Sequence, residues 1–152
     1  MPFMSRKLYF GSDDSKHDRV VEAYRTYLAD ADRKIAPSIM SFAKLSLHDL
    51  IVSLWGRSVS GNTTLSVSWY EIEFLGVPRD FKNPPIEGRA WLWHEVSQLQ
   101  SSIYSCYVLL DDAEFSMEFR DLRIIDNSKH QIIAEFSSEK RSDVRHRQSR
   151  RK

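Results

Sequence analysis

The chain has 152 residues, of which 41% are hydrophobic and 28% charged, as expected of one ordinary globular domain. Its single cysteine, Cys106, excludes an intrachain disulfide. No apolar run is long enough to span a bilayer or to form the centre of a signal peptide, so a cytoplasmic protein without membrane contact is expected.

The charge is unevenly distributed along the chain. Residues 139–152 contain seven Lys/Arg and two Asp/Glu, whereas residues 1–138 contain fifteen and nineteen, which gives net charges of +5 and −4. The basic segment has almost no apolar side chains and therefore predicts a flexible, disordered tail. Residues 1–138 are expected to form one domain.

Two helices are predicted first in chain order. Over residues 16–34, apolar side chains recur at spacings of three and four, which indicates an amphipathic helix. Pro37 ends this helix and suits the first turn of a second one, which is short and mostly buried. The apolar stripe of the first helix consists of Val20, Val21, Tyr24, Tyr27, Leu28 and Ala31.

After Leu47 the pattern changes to the period of β-strands. In the first strand, alternation places Leu50, Val52 and Leu54 on one face. The alternation slips at Tyr70–Glu71, which predicts a β-bulge or a bend. Strands are expected within residues 48–57, 65–74, 90–96, 103–110, 115–120 and 131–136.

Helices followed by strands, without alternation of the two, indicate an α+β fold with antiparallel pairing. We therefore expect two N-terminal helices followed by an antiparallel sheet of about five to six strands. Residues 78–88 are expected to form a loop. The sequence leaves the oligomeric state open.

Three His–acid dipeptides are candidate chemical groups: His17-Asp18, His48-Asp49, at the junction of helices and sheet, and His94-Glu95. A histidine there could act as a general base oriented by a carboxylate, or could ligate a metal together with partners from elsewhere. No metal-binding His spacing, phosphate-binding Gly loop or nucleophile elbow is present. Local hydrogen bonding is the favoured interpretation, and neither a cofactor nor a metal is expected.

The tryptophans are candidate binding residues. Trp91 and Trp93 are two positions apart, so they are expected to share one strand face, and Trp69 and Trp55 could extend an aromatic surface for a partner. Packing in the core is the favoured alternative, because large aromatic side chains usually supply the core of a small domain. Cys106 is expected to be a buried structural thiol.

The basic segment is a further candidate, since Arg145, Arg147, Arg150 and Arg151 could contact the phosphates of nucleic acid. It contains neither interleaved aromatic residues nor a motif that reads a groove. A solvated tail is the favoured interpretation of this segment.

Four segments together resemble a bacterial family of uncharacterised domains with a Leu-His-Asp entry motif and a Trp-Leu-Tyr-x-Glu strand. They are the first helix, residues 46–49, residues 88–96 and residues 119–124, and the resemblance departs at Trp93-His94. The family carries no established activity, but small domains of this kind often act as immunity proteins of bacterial toxin systems.

These features favour a protein-binding module over catalysis, and the resemblance implies a toxin-neutralising immunity protein as its form. The alternatives are a small metal-dependent or His-based enzyme that uses His48, Asp49, His94 and Glu95, and nucleic-acid association through the basic tail.

Overall fold

The computed structural model describes residues 2–58 and 61–137. Within these ranges three helices precede eight strands. The helices are α1 Arg6–Tyr9, α2 Asp14–Ala31 and α3 Pro37–Ala43. The strands are β1 Val52–Arg57, β2 Thr63–Val67, β3 Tyr70–Leu75, β4 Trp91–Gln100, β5 Ile103–Leu110, β6 Glu114–Phe119, β7 Asp121–Asp126 and β8 Gln131–Ala134.

The strands form two antiparallel sheets. The larger sheet has the order β1-β2-β3-β7-β8 and the smaller one the order β4-β5-β6. A bridge between Ile51 and Ala90 connects the two sheets at the start of β1 and β4. The chain passes from β6 to β7 through one residue, Arg120, whose N–H donates to the carbonyl of Leu75 at 2.8 Å.

The two predicted helices are present as α2 and α3. Asp13 caps α2 by accepting a hydrogen bond from the N–H of Lys16, and Pro37 is the first residue of α3. The predicted stripe supplies the buried side chains of α2, namely Tyr24, Leu28 and Ala31. The one-turn helix α1 was not predicted. None of the helices in the described ranges has the length and apolar character needed to cross a bilayer.

The α+β class with antiparallel strands is confirmed, but the strands number eight, in two sheets instead of one. The slip at Tyr70 is neither a bulge nor a bend. Val67 pairs with Tyr70, so Ser68 and Trp69 form a two-residue hairpin turn, with Ser68 at φ 49°. β7 was missed because a single residue separates it from β6.

The predicted face of the first strand is also wrong. The register of β1 shifts between Val52 and Leu54, which is the signature of a β-bulge. Val52 and Trp55 are consequently buried, whereas Leu54 is 53% exposed. Simple alternation fails wherever a bulge inserts a residue.

The core lies between the two sheets and is closed by α3, which packs against β4, β7 and β8. Phe74 of β3 contacts Phe42 of α3 and Phe119 of β6, with ring centroids 5.5 and 5.2 Å apart. Trp55 of β1 contacts Phe115 of β6 at 5.5 Å. Aromatic contacts thus connect both sheets and the helix.

The free edge of β4 is covered by two tyrosines of α2. The hydroxyl of Tyr24 accepts from the N–H of Val96 at 2.7 Å, and that of Tyr27 accepts from the N–H of Gln98 at 3.2 Å. These N–H groups point away from β5. The helix therefore satisfies an edge that could otherwise pair with another chain.

Replacing Tyr24 with Phe should lower the free energy of unfolding by about 1–3 kcal/mol, because the buried N–H of Val96 loses its acceptor. Tyr27→Phe is the matched control, since water can reach the exposed Gln98. Urea denaturation of both variants measures the difference. Equal losses would show that the Tyr24 hydroxyl is not needed to satisfy the β4 edge.

Candidate functional site

The candidate site is an open cleft of about 380 Å³ between α2, residues 44–48 and β4. Apolar side chains from all three segments form its centre. They include Val21, Tyr24, Leu45, Leu92 and Trp93. The cleft is thus built where the helical part of the chain meets the smaller sheet.

Backbone hydrogen bonds bring the two predicted segments together at this cleft. The N–H of Asp49 donates to the carbonyl of Trp91, and the N–H of Trp91 donates to the carbonyl of Leu50, both at 2.8 Å. His48 and His94 both line the cleft as a result. Sequence analysis singled out the two segments separately, and only the fold shows that they are neighbours.

The imidazole of His48 lies between a carboxylate and a phenol at the cleft. Its Nδ1 lies 3.0 Å from Oδ2 of Asp49, and its Nε2 lies 2.9 Å from the hydroxyl of Tyr9. Asp49 has φ 66°, a left-handed conformation that Asp adopts more readily than most residues. Burial and the charge of Asp49 raise the pKa of Tyr9, which favours the protonated phenol.

The arrangement can orient the His48 imidazole, as in an Asp–His pair that performs acid–base chemistry. The Nε2 atom is already occupied by Tyr9, so a substrate would first have to displace that hydroxyl. Tyr9 was missed by sequence analysis because it lies 39 positions from His48, in a segment without a clear pattern.

His94 is buried and both of its ring nitrogens have partners. The indole N–H of Trp91 donates to Nδ1 at 3.0 Å, and Nε2 donates to the carbonyl of Phe42 at 2.8 Å. Burial lowers the pKa of His94 to about 4. The imidazole is therefore neutral at pH 7 and has no free lone pair for a metal or for a proton.

Glu95 fixes the N-terminal segment to β4. Its carboxylate accepts from the N–H groups of Phe3 and Met4 and from the indole N–H of Trp93, at 2.7 Å for Phe3 and 2.8 Å for Trp93. Burial raises the pKa of this carboxyl, and the three hydrogen bonds oppose that shift. The Glu95 carboxylate therefore serves a structural role, because its oxygens bind the N-terminal segment and Trp93.

The predicted shared face of Trp91 and Trp93 is wrong. The register of β4 is irregular between them, so Trp91 bonds to His94 whereas Trp93 bonds to Glu95. Trp91 is 1% exposed and belongs to the core, Trp93 is partly buried, and Trp69 is 45% exposed on the β2–β3 turn. The tryptophans therefore do not form one surface.

Three polar residues that line the cleft belong to ion pairs. Arg25 and Lys44 line it and pair with Glu22 at 3.8 Å and with Asp32 at 3.4 Å. The third pair is His48 with Asp49. All three are exposed, so the rim is polar and nearly balanced in charge.

In residues 2–58 and 61–137, no group of three or more His, Cys, Asp and Glu side chains could hold a metal ion. Cys106 is buried, and burial raises the pKa of its thiol. The basic segment 139–152, with Arg145, Arg147, Arg150 and Arg151, lies outside the described residues.

Comparisons with family models, curated proteins and solved structures find no match to this chain. The resemblance drawn from the sequence motifs therefore stays a prediction.

The buried neutral state of His94 predicts a pH dependence of stability. Between pH 6.5 and about 4, the unfolded chain binds a proton at this residue and the folded chain does not. Stability should therefore fall as the pH is lowered through this window, by up to about 3 kcal/mol from this group. The raised pKa of Glu95 acts in the opposite direction, since it favours the folded state as the carboxyl is protonated.

A His94→Gln variant isolates this contribution, because Gln can keep one donor and one acceptor but does not titrate. Denaturation at several pH values should show a steeper decline for the natural chain than for the variant. Identical pH profiles would contradict the assignment of a buried neutral imidazole.

Replacing Glu95 with Gln should lower the free energy of unfolding by about 1–3 kcal/mol, because an amide cannot accept at both oxygen positions. Glu118→Gln is the matched control at an exposed position of β6. Amide hydrogen exchange at Phe3 and Met4 should accelerate only in the Glu95 variant. Unchanged exchange there would refute the anchoring role.

Proposed function

We propose that this protein is a protein-binding module and that the cleft between α2, residues 44–48 and β4 is its recognition site. One observation carries the proposal: an open cleft lined by apolar side chains also carries three polar residues that belong to exposed pairs. An apolar centre with a polar rim is the usual anatomy of a protein interface.

The size of the cleft supports a side chain as its occupant. Its volume of about 380 Å³ is at the low end of ligand pockets, which span roughly 300–1,000 Å³. One large apolar side chain of a partner protein would fill the centre and leave the rim to hydrogen-bond around it. Val21 and Leu92 are only partly buried, so they are accessible to such a side chain.

The charge of the domain favours a basic partner. Residues 1–138 carry fifteen Lys/Arg against nineteen Asp/Glu, a net charge of −4, and complementary charge accelerates association. A toxin-neutralising immunity protein is the form of this function that the sequence resemblance implies. The partner would then be a basic toxin domain.

A second candidate, His-based catalysis, is favoured by the position of the His48 imidazole between the Asp49 carboxylate and the Tyr9 hydroxyl. Of the predicted catalytic set, only His48 and Asp49 remain available for it. His94 and Glu95 are engaged in the structural contacts described above. Binding is therefore the better-supported function, and the enzyme is the alternative.

The test is co-expression with the products of neighbouring genes, followed by calorimetric titration of any protein that co-purifies. Val21→Asp and Leu92→Asp place a charge in the cleft and should weaken binding by about tenfold or more, which corresponds to ~1.4 kcal/mol. Ile132→Asp is the matched control, because Ile132 is an exposed apolar residue of β8. Its affinity should stay within about twofold of the natural chain.

The two parts of the proposal fail separately. If no neighbouring product binds, the assignment as an immunity-type module is wrong. If a partner binds the cleft variants and the Ile132 variant equally well, the module stands but its recognition site lies elsewhere.

A further inference from the structure

A second and larger cavity, of about 730 Å³, lies where the turn after α2, the end of β3, the β4–β5 turn and the β6–β7 corner meet. We propose that this cavity binds the phosphate backbone of nucleic acid. We name it the basic cavity. It is independent of the cleft and does not rest on the function proposed above.

Three cations line the basic cavity: Arg33, Lys34 and Arg120. The described residues form seven ion pairs, and the basic member of each pair is a residue other than these three. Arg33, Lys34 and Arg120 therefore form no ion pair with a described carboxylate. Their charges are therefore uncompensated by close carboxylates in this part of the chain. Uncompensated cations that converge on one concavity create an attractive potential for anions.

One acidic residue, Asp121, also lines the cavity. It is 7% exposed, and its oxygens accept from the hydroxyl of Ser38 at 2.9 Å, from the N–H of Ser137 at 2.8 Å and from its own neighbour Leu122 at 2.9 Å. These contacts hold the carboxylate in the wall. The charge of the lining residues is therefore three positive against one negative.

The position of Arg120 is fixed by the fold. It is the single corner residue between β6 and β7, and its stem lies against Gly76 at the end of β3. A Cβ atom on Gly76 would come within 2.8 Å of Cγ of Arg120, and Gly76 has φ 78°. Glycine at this position thus allows the arginine stem to approach the backbone closely, which reduces the cost of ordering the guanidinium on binding.

Neutral donors accompany the cations. Gln98, Ser101 and Ser102, from the end of β4 and the turn that follows, line the same cavity and are exposed. Such side chains commonly contact phosphate oxygens alongside Arg and Lys. The aromatic residue of the lining, Tyr104, is 4% exposed, so it offers no surface for base stacking. These features fit contacts to the backbone and not to the bases.

The sequence beyond the cavity favours a polymer over a single phosphate. Ser137, the last residue that the structure describes, lines the cavity. Residues 139–152, which follow almost directly, carry seven Lys/Arg and two Asp/Glu. In sequence, a run of basic residues therefore follows Ser137, and such runs are typical of chains that bind nucleic acid.

The test uses the full chain and a short fluorescent DNA duplex, with anisotropy measured between about 50 and 200 mM salt. A triple variant, Arg33→Gln with Lys34→Gln and Arg120→Gln, should weaken binding at low salt by about tenfold or more and reduce the slope of the log–log salt plot by ~2–3. The matched control is Arg19→Gln with Arg79→Gln and Lys82→Gln. It removes the same charge from exposed residues outside the cavity.

The control should stay within about threefold of the natural affinity, and circular dichroism should show that both triple variants are folded. Equal weakening by the two variants would overturn the proposal, because net charge alone would then explain binding. Absence of salt-sensitive binding by the natural chain would overturn it too. Displacement of the duplex by vesicles of phosphatidylcholine and phosphatidylserine would assign the cavity to a membrane surface instead.

Discussion

β4 pairs with another strand along one edge only, and the rest of its polar groups must be satisfied by other parts of the chain. Its free edge is covered by the hydroxyls of Tyr24 and Tyr27. On one side His94 bonds to the carbonyl of Phe42 in α3, and on the other Glu95 accepts from the N-terminal segment. A single strand therefore organises the helices, the N-terminus and the cleft.

These contacts determine which register β4 adopts, as well as how stable the fold is. A buried donor or acceptor left without a partner costs more than a satisfied one gains, so each polar contact of β4 penalises any other arrangement. A shift of one residue along β4 would exchange the surroundings of His94 and Glu95. The neutral imidazole would then face the N-terminal amides, and a carboxylate would enter the core. The polar side chains thus fix the register that apolar packing alone would leave less certain.

The parts of the fold that were predictable are those with a local signal. The periodicity of α2, the Pro37 start of α3 and the strand β5 can be read from consecutive residues. The turn at Ser68–Trp69 lacks the Gly or Asn that usually marks a two-residue hairpin, so it was interpreted as an irregularity within one strand.

The candidate sites depend on contacts between distant residues, and sequence analysis reached them only in part. Residues 48–49 and 91–95 were singled out as two separate segments, and the partner of His48 is Tyr9, 39 positions away. The bulge in β4 that separates Trp91 from Trp93 leaves no mark in the sequence. Arg33, Lys34 and Arg120 come together only through the packing of the α2–α3 turn against the β6–β7 corner.

The cleft and the basic cavity border the same pair of elements. Residues of α2 and β4 line the cleft, whereas Gln98 of β4 and the residues just after α2 line the basic cavity. Their electrostatics differ, because the cleft has paired charges at its rim and the cavity has an excess of unpaired cations. A basic protein attracted by the net negative charge of residues 1–138 would be repelled at the basic cavity. A nucleic acid would be attracted only at that cavity. The excess positive charge would therefore keep a basic protein away from the cavity, whereas recognition at the cleft would depend on its apolar side chains.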